Sequence, residues 1–375
     1  ANDLTKGVIQ MNHRLLLAAS ILVILGFAVL QMVTQRPPFS RQIKSLPATV
    51  TRIIDGDTIE VHFNGDPQST SYTIRLAGIN APEVAKACQI IGKRARDTVK
   101  GWVPQGTKVS IELGSTGDKY VPYYIGVDRR LLGFVQTSPR GAFIQTELTK
   151  LGLARLEIRT SALRDVKQPN SDKFTFAKLF SSQIKSLLNA QTEAAKQKRG
   201  WWSTCDPFRK ANLVIAAIDF WDYPQVVYIV NRGKLPINWT KFSLSDNTRS
   251  HRLDFNKLNA KCPMLAAGQV LEVDTYNQKD VNNTVECGTE RIIIRWYSYI
   301  GIRGHIWNEG DKGDTACLFL TAVPAAGCKK SATQPAKSNG LCYVYQYPPQ
   351  DGTQTSSATI DPRCPRLAKA GDGNH

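Results

Sequence analysis

An uncharged run of nineteen residues, Leu15 to Val33, constrains the architecture of this chain more than any other feature of its sequence. A helix rises about 1.5 Å per residue, so this run spans about 28 Å, close to the hydrocarbon thickness of a bilayer. The next segment, residues 34–38, is polar and contains two prolines that stop a helix. We predict a single transmembrane helix over residues 15–33, with the lipid bilayer as its partner. A short N-terminal segment (1–14) precedes it and a linker (34–46) follows.

Eight cysteines indicate the compartment of the remaining chain. None belongs to a C-x-x-C pair, which argues against a zinc ribbon, and an even number is typical of disulfides formed in an oxidising compartment. Free buried thiols are the alternative interpretation.

The orientation of the predicted membrane helix is harder to derive. Basic residues flank the apolar run on both sides, so the positive-inside rule gives almost no orientation. The first residue is Ala1, as after removal of a targeting sequence, and we expect a mitochondrial inner-membrane protein facing the intermembrane space. A secretory or periplasmic location is the second choice.

The balance of charges restricts the kind of partner. Lys and Arg number 48 and Asp and Glu 31, a formal net charge of +17. Such an excess favours anionic partners, which are nucleic acid, anionic lipid or an acidic protein surface, and a merely soluble basic surface is the alternative. With 42% hydrophobic residues the chain is not disordered throughout, and 375 residues correspond to two or three domains.

Two segments with different patterns of apolar and polar residues follow the linker. From residue 47 to 210, alternating strands are followed by helical periods over about 85–103 and 174–199, which indicates an α+β domain. From 211 to 323 the sequence holds only short β-rich runs separated by turn residues, which predicts an all-β sandwich. The last segment, 324–375, is a polar tail rich in Pro, Gly, Ser, Thr and Lys. The predicted fold class is therefore mixed.

Five chemically active side chains lie close together in the first domain: Asp55, Asp57, Arg75, Asn80 and Glu83. Oxygen ligands on a turn can hold a hard cation such as calcium, and an arginine fork can bind a phosphate. A nearby glutamate can orient or deprotonate an attacking water. Together these groups suit phosphodiester hydrolysis. The alternative is structural, with D-G-D as a hairpin turn and Arg75–Glu83 as an ion pair.

The whole set of motifs in residues 47–207 resembles the thermonuclease (staphylococcal nuclease-like) family. The motifs are D-G-D-T at 55–58, R-L-A-G-I-N-A-P-E at 75–83, R-L-L-G-F-V at 130–135, L-T-K-L-G-L-A at 148–154 and G-W-W at 200–202. The resemblance implies a small β-barrel of the OB type that carries helices. It also implies that the domain acts on nucleic acid.

The resemblance further implies a calcium site. Its ligands would be Asp57, Asn80 and the carbonyl of Ala81, with Asp55 assisting through a water. Asn80 stands where the family usually has an aspartate. The amide oxygen can still bind calcium, but one negative charge is missing, and ligand charge tunes calcium affinity. We therefore expect either a nuclease of reduced activity or a nuclease-like domain that has lost its activity.

The catalytic roles are also implied by the resemblance. Glu83 would position the attacking water, while Arg75 and Arg130 would stabilise the negative charge that develops on phosphorus. The assignment of Arg130 requires an excursion in the chain before it, and Arg129 is the alternative.

Two further expectations also rest on resemblance, one of them to a second family. The segments around residues 226–255, 265–273 and 306–320 resemble a lamin-tail domain, which implies an immunoglobulin-like sandwich used for binding. In the implied nuclease-like fold Cys88 and Cys205 both lie near the helical side of the barrel, so we expect them to form a disulfide. The other six cysteines would then pair within the sandwich and the tail.

These features leave two functional hypotheses. The first is a membrane-anchored, calcium-dependent nuclease that hydrolyses DNA or RNA and is weakened by Asn80. The second is a non-catalytic accessory subunit of a mitochondrial membrane complex, in which both domains dock against other subunits. Fold membership does not decide between them.

Overall fold

The structure is a computed structural model that describes residues 42–67, 69–83, 88–115, 124–125, 130–137, 141–157, 176, 178–206, 208–220, 224–246, 251–298, 306–307, 314–321 and 341–347. The predicted transmembrane segment 15–33 and the preceding residues 1–14 lie outside these ranges. Within them, no helix is both long and apolar enough to cross a bilayer.

The first domain is a closed β-barrel. Its sheet has the order β3-β2-β1-β5-β7-β6, and a parallel pairing of β3 with β7 closes the barrel. Alternate residues point inward and exclude water, among them Ile59, Val61, Ile74 and Ile111, each fully buried. The strands are β1 Gln42–Ile53, β2 Thr58–Phe63, β3 Tyr72–Leu76, β4 Ile79–Asn80, β5 Lys108–Ser115, β6 Tyr124–Ile125, β7 Arg130–Gln136 and β8 Arg155–Leu156. The small β4–β8 ladder lies beside this sheet. The barrel predicted for this domain is confirmed.

The barrel begins earlier than the sequence suggested. We predicted a linker up to residue 46, but β1 starts at Gln42 and pairs with β5 from Gln42↔Ser115 to Thr49↔Lys108. The residues at its start show no alternation of burial, and Ile43 is 37% exposed. Backbone hydrogen bonds to β5, rather than a buried face, make this part of the strand.

Helices accompany the barrel, and those whose bounds fall within the described residues are α1 Gln89–Trp102, α2 Ile144–Lys150, α3 Ser181–Lys196 and α4 Trp201–Thr204. The two long ones were predicted over wider ranges, 85–103 and 174–199. The apolar stripe predicted for the second is confirmed, since Phe176, Phe180, Ile184, Leu187 and Leu188 are all buried. Ring contacts join Phe180 to Phe176 and to Phe134 of β7, so this stripe packs the helical segment onto the outside of the barrel.

Among the described residues, the second domain has two larger sheets, in which antiparallel pairings predominate, and one two-stranded ladder. One has the order β16-β17-β15-β10-β9, and the other has the order β13-β12-β18-β19. Their strands are β9 Leu213–Asp219, β10 Gln225–Asn231, β12 Phe242–Ser245, β13 Arg252–Asp254, β15 Val270–Tyr276, β16 Thr284–Cys287, β17 Arg291–Tyr297, β18 Asp314–Leu320 and β19 Leu341–Tyr347; β11 Ile237–Asn238 pairs with β14 Met264–Leu265. The all-β character predicted for this region agrees with this arrangement.

The second domain also extends past its predicted end at residue 323. Strand β19 belongs to the segment predicted as a polar tail, and it pairs with β18 from Asp314↔Tyr347 to Phe319↔Leu341. A sheet edge supplied by the preceding strand organises a segment whose composition alone predicts no structure. The disulfide Cys262–Cys287 reinforces this domain, and Cys317 of β18 is disulfide-bonded as well.

A buried polar junction joins the two domains. Gln191 of α3 accepts a hydrogen bond from the backbone N–H of Leu156 at 2.6 Å and donates one to the carbonyl of Ala216 in β9 at 2.8 Å. Arg232, which follows β10, forms an ion pair with Asp206 at 3.1 Å, and both side chains are at most 1% exposed. The last turn of the barrel domain is thereby tied to the first sheet of the second domain.

One buried carboxyl in the second domain leads to a prediction about pH. Asp274 of β15 is 8% exposed, and its Oδ1 has no hydrogen-bond partner among the described residues. Burial raises its pKa to about 6; Glu272 and Glu286 reinforce this shift, while Arg295 and Arg291 oppose it. Together with burial, the charge of Asp274 in turn contributes to raising the pKa of two nearby tyrosines, Tyr228 and Tyr276.

The pKa of Asp274 in the folded state lies above the unfolded value of about 3.9. Between about pH 4 and pH 6 the folded state therefore keeps a proton that the unfolded state has lost. The contribution of Asp274 to stability is therefore greatest below pH 4 and is lost as the pH rises through 6. We expect Asp274→Asn to remove this loss. The free energy of unfolding of the variant minus that of wild type should then be larger at pH 7.5 than at pH 4 by about 1–3 kcal/mol, measured by urea unfolding at both pH values. An equal pH dependence in both proteins would contradict it.

Candidate active site on the outer face of the barrel

The D-G-D turn between β1 and β2 presents a buried carboxylate. Asp55 accepts a hydrogen bond from the backbone N–H of Asp57 at 3.0 Å, which fixes the turn locally. Asp57 is 2% exposed. Its Oδ1 accepts from the Thr58 hydroxyl at 3.1 Å, and its Oδ2 accepts from the backbone N–H of Ala81 at 2.7 Å. The turn and the loop after β4 are thus connected through one carboxylate.

Arg75 completes the connection. It lies on β3 directly opposite Thr58 of β2, on the side of the sheet that faces away from the barrel interior. Its Nη1 donates to Oδ1 of Asp57, and its Nη2 donates to Oδ1 of Asn80 at 2.8 Å and to the carbonyl of Ile79 at 3.4 Å. The side chain is 12% exposed. One guanidinium therefore lies between the carboxylate and the amide that were predicted as metal ligands.

Burial and hydrogen bonding act in opposite directions on Asp57. Burial raises the pKa of Asp57 to about 7, while the Arg75 guanidinium and the Ala81 N–H lower it. The charge of this carboxylate thus depends on its neighbours, as is common for groups at functional sites.

Helix α1 holds the two loops of the site in place through close backbone contacts. A Cβ on Gly56 would lie 2.5 Å from the Cβ of Ala95, and a Cβ on Gly92 would lie 2.1 Å from the carbonyl oxygen of Pro82. Only glycine at these two positions lets the helix approach the D-G-D turn and the 81–83 loop so closely. The loop that carries Glu83 is therefore positioned by packing against α1.

The disulfide Cys88–Cys205 anchors the N-terminal end of this helix, with a Cα–Cα distance of 5.9 Å. The pairing expected for these two cysteines is confirmed.

Arg130 lies on the same face of the barrel as Arg75. Leu132 of β7 pairs with Arg75 of β3, and residues two apart on a strand point to the same side. The Nε of Arg130 is buried and has no hydrogen-bond partner within the described part of the chain. Residue 129, the alternative to Arg130, lies outside the described ranges.

The predicted structural alternative, an Arg75–Glu83 ion pair, is not present among the described residues. Arg75 pairs with Asp57 instead. The structure brings Asp57, Arg75, Asn80 and Ala81 into direct contact, and it joins Asp55 to them through the Asp57 backbone. No hydrogen bond links Glu83 or Arg130 to this cluster within the same residues.

Sequence reasoning did not include Thr58 and the carbonyl of Ile79. Thr58 could have been found as the last residue of D-G-D-T, since a threonine after an aspartate can donate its hydroxyl to that carboxylate.

The calcium expectation depends on whether the predicted ligand oxygens are available. Asp57 and Asn80 offer the oxygen atoms that calcium prefers. All three of their contacting oxygens nevertheless accept hydrogen bonds from the domain, and the contact to Ala81 is through its N–H. In the described ranges no three His, Cys, Asp or Glu side chains converge as a metal site. In this arrangement the residues do not fit a bound calcium ion while Arg75 is in place.

Comparison with known proteins agrees with this geometry. Residues 73–174 match the family of staphylococcal nuclease homologues. Endonuclease YncB of Bacillus subtilis (strain 168) is 33% identical to this chain over 124 residues, which cover 32% of this chain and 52% of that protein. The chain thus spans about half the length of this relative. Residues 73–174 are a staphylococcal nuclease-like domain, and they contain Arg75, Asn80, Glu83 and Arg130 but not the D-G-D turn.

Proposed function

We propose that the barrel domain is a nuclease that hydrolyses phosphodiester bonds in DNA or RNA. The observation that carries this proposal is the convergence of Asp57, Arg75 and Asn80 on the outer face of a nuclease-like barrel, with Arg130 on the same face. The name of the Bacillus relative, an endonuclease, is consistent with it.

Each group has a chemical task in this proposal. Glu83 orients an attacking water and accepts its proton, because Asp57 is paired with Arg75 and Asp55 is used in fixing the D-G-D turn. Arg130 and the remaining N–H groups of Arg75 donate to the phosphate oxygens and stabilise the charge that builds up on them. Asp57 and Asn80 hold Arg75 in position for this contact.

The rest of the chain supplies binding in this proposal. A net charge of +17 favours a polyanion, so affinity should be led by the phosphate backbone and should fall steeply with salt. The second domain serves as a lamin-tail-like binding module. Residues 15–33 anchor the protein in a membrane, with the mitochondrial inner membrane as first choice.

The direct test is the loss of the proposed base. We expect Glu83→Gln to reduce cleavage of fluorescently labelled DNA and RNA by roughly 10²-fold or more, because the amide cannot accept the proton of the attacking water. The rate should be measured with the full chain in calcium, in magnesium and in chelator, because the resemblance implies a calcium requirement whereas the oxygens of Asp57 and Asn80 are already hydrogen-bonded.

Glu60→Gln is the matched control. Glu60 belongs to the same barrel but forms an exposed pair with Arg52 on the neighbouring strand, so its loss should leave cleavage within about twofold. Equal cleavage by wild type and Glu83→Gln would show that Glu83 is not the base. Absence of cleavage by purified wild type in all three solutions would reject the nuclease proposal.

A second function is favoured by one specific observation. The cluster has an amide at position 80, and its one deeply buried carboxylate is already paired with Arg75. A non-catalytic accessory subunit of a membrane complex would retain such a self-contained site as a structural element of a docking domain. Stoichiometric copurification with other membrane subunits, together with absence of cleavage, would support this function instead.

A further inference from the structure

The Asp57–Asn80 pair already has a positively charged occupant. The guanidinium of Arg75 donates from Nη1 to the carboxylate and from Nη2 to the amide oxygen, so its two nitrogens bridge the D-G-D turn and strand β4. A planar fork of this kind makes the same two contacts that one cation would make between two oxygen ligands. Its 12% exposure shows that it is enclosed by the domain.

The charges of the Asp57–Asn80 pair match one guanidinium better than a divalent ion. Asp57 contributes one negative charge and Asn80 contributes none, so a single positive charge neutralises the pair. A calcium ion at the same place would bring two positive charges next to the guanidinium. In a buried site of low dielectric, such like-charge contact is strongly unfavourable.

Another pair in the same barrel shows what an ordinary surface contact looks like. Arg52 of β1 contacts Glu60 of β2 at 2.5 Å, but its side chain is 66% exposed, and it joins neighbouring strands only. Arg75 instead joins the D-G-D turn to the end of β4. Its position between this turn and β4, and not the mere formation of an ion pair, distinguishes it.

We propose that Arg75 is the resident cation of the Asp57–Asn80 site, so that the wild-type site excludes calcium and accepts it only when the guanidinium is removed or outcompeted. Removing the guanidinium leaves the buried carboxylate without a counter-charge, and calcium can then take its place. Adding a second carboxylate at position 80 shifts the competition toward calcium in the same way. This inference concerns binding alone and stands whether or not the chain cleaves nucleic acid.

The experiment is a calcium titration of the full chain after treatment with a chelator, followed by calorimetry and by the thermal unfolding midpoint. For wild type we expect no binding below about 1 mM calcium, which is the weak end of natural calcium sites. Arg75→Gln should have a lower midpoint than wild type without calcium and should regain part of it with calcium. Its affinity for calcium should exceed that of wild type by about tenfold or more, as expected for removal of a competing charge.

Two further variants keep the test decisive. Asn80→Asp should gain calcium binding with Arg75 still present. If Arg75→Gln does not fold, the calcium titration of Asn80→Asp decides the test. Arg52→Gln, which removes an exposed arginine from the same barrel, should behave as wild type toward calcium. Binding by wild type below about 1 mM calcium, which is the range of the stronger natural sites, would overturn the proposal. So would the failure of both Arg75→Gln and Asn80→Asp to gain binding.

Discussion

Replacing Arg232 with alanine is expected to destabilise the protein by about 3–5 kcal/mol, because it leaves a buried aspartate without its counter-charge. Arg232 is fully buried and pairs with Asp206 at 3.1 Å. Its guanidinium also donates to the carbonyls of Ala211 at 2.8 Å and Phe208 at 2.6 Å. Burial raises the pKa of Asp206, and the Arg232 guanidinium acts against that shift. The loss should appear as a lower midpoint in urea unfolding followed by tryptophan fluorescence.

Two controls separate this effect from the general loss of an ion pair. Arg52→Ala breaks the exposed pair with Glu60 and should cost at most about 1 kcal/mol. The double replacement Arg232→Met with Asp206→Leu removes both charges and should recover most of the stability lost in Arg232→Ala. A cost below about 1 kcal/mol for Arg232→Ala would contradict the view that this pair holds the two domains together.

Loss of the Cys88–Cys205 disulfide is expected to cost up to about 5 kcal/mol. The two residues are 117 positions apart, and the entropy gained by the unfolded chain grows with the length of the loop released. The same bond also fixes the N-terminal end of α1, which packs against the D-G-D turn and the loop of Glu83. Cys88→Ser with Cys205→Ser should therefore lower both stability and cleavage rate.

The second disulfide provides a matched comparison. Cys262 and Cys287 are 25 positions apart, so the same reasoning gives about 3.5 kcal/mol for their replacement by serine. This bond lies in the second domain and should leave the geometry of the barrel site unchanged. If the shorter loop proved to be the more stabilising of the two, loop entropy would not be the main source of stabilisation.

Periodicity in the sequence was sufficient for the parts of the fold that bury one face. Strands β2 and β3 and the buried stripe from Phe176 to Leu188 follow from the spacing of apolar residues, because side chains alternate along strands and recur every three to four residues along helices. The start of β1 and strand β19 escaped prediction. The start of β1 is held by backbone hydrogen bonds to β5, which leave no pattern in the side chains. Strand β19 was missed because its apolar and aromatic run, residues 341–347, lies within a segment whose overall composition is polar.

The sequence by itself determined the nuclease-like barrel, which residues belong to the candidate site, and the absence of a carboxylate at position 80. Only the tertiary structure decided what these residues do to one another. Arg75 is nearer along the chain to Glu83 than to Asp57, yet it pairs with Asp57. The reason is physical: the pairing of β2 with β3 places Arg75 opposite Thr58, next to a buried carboxylate whose desolvation is relieved most by a nearby positive charge.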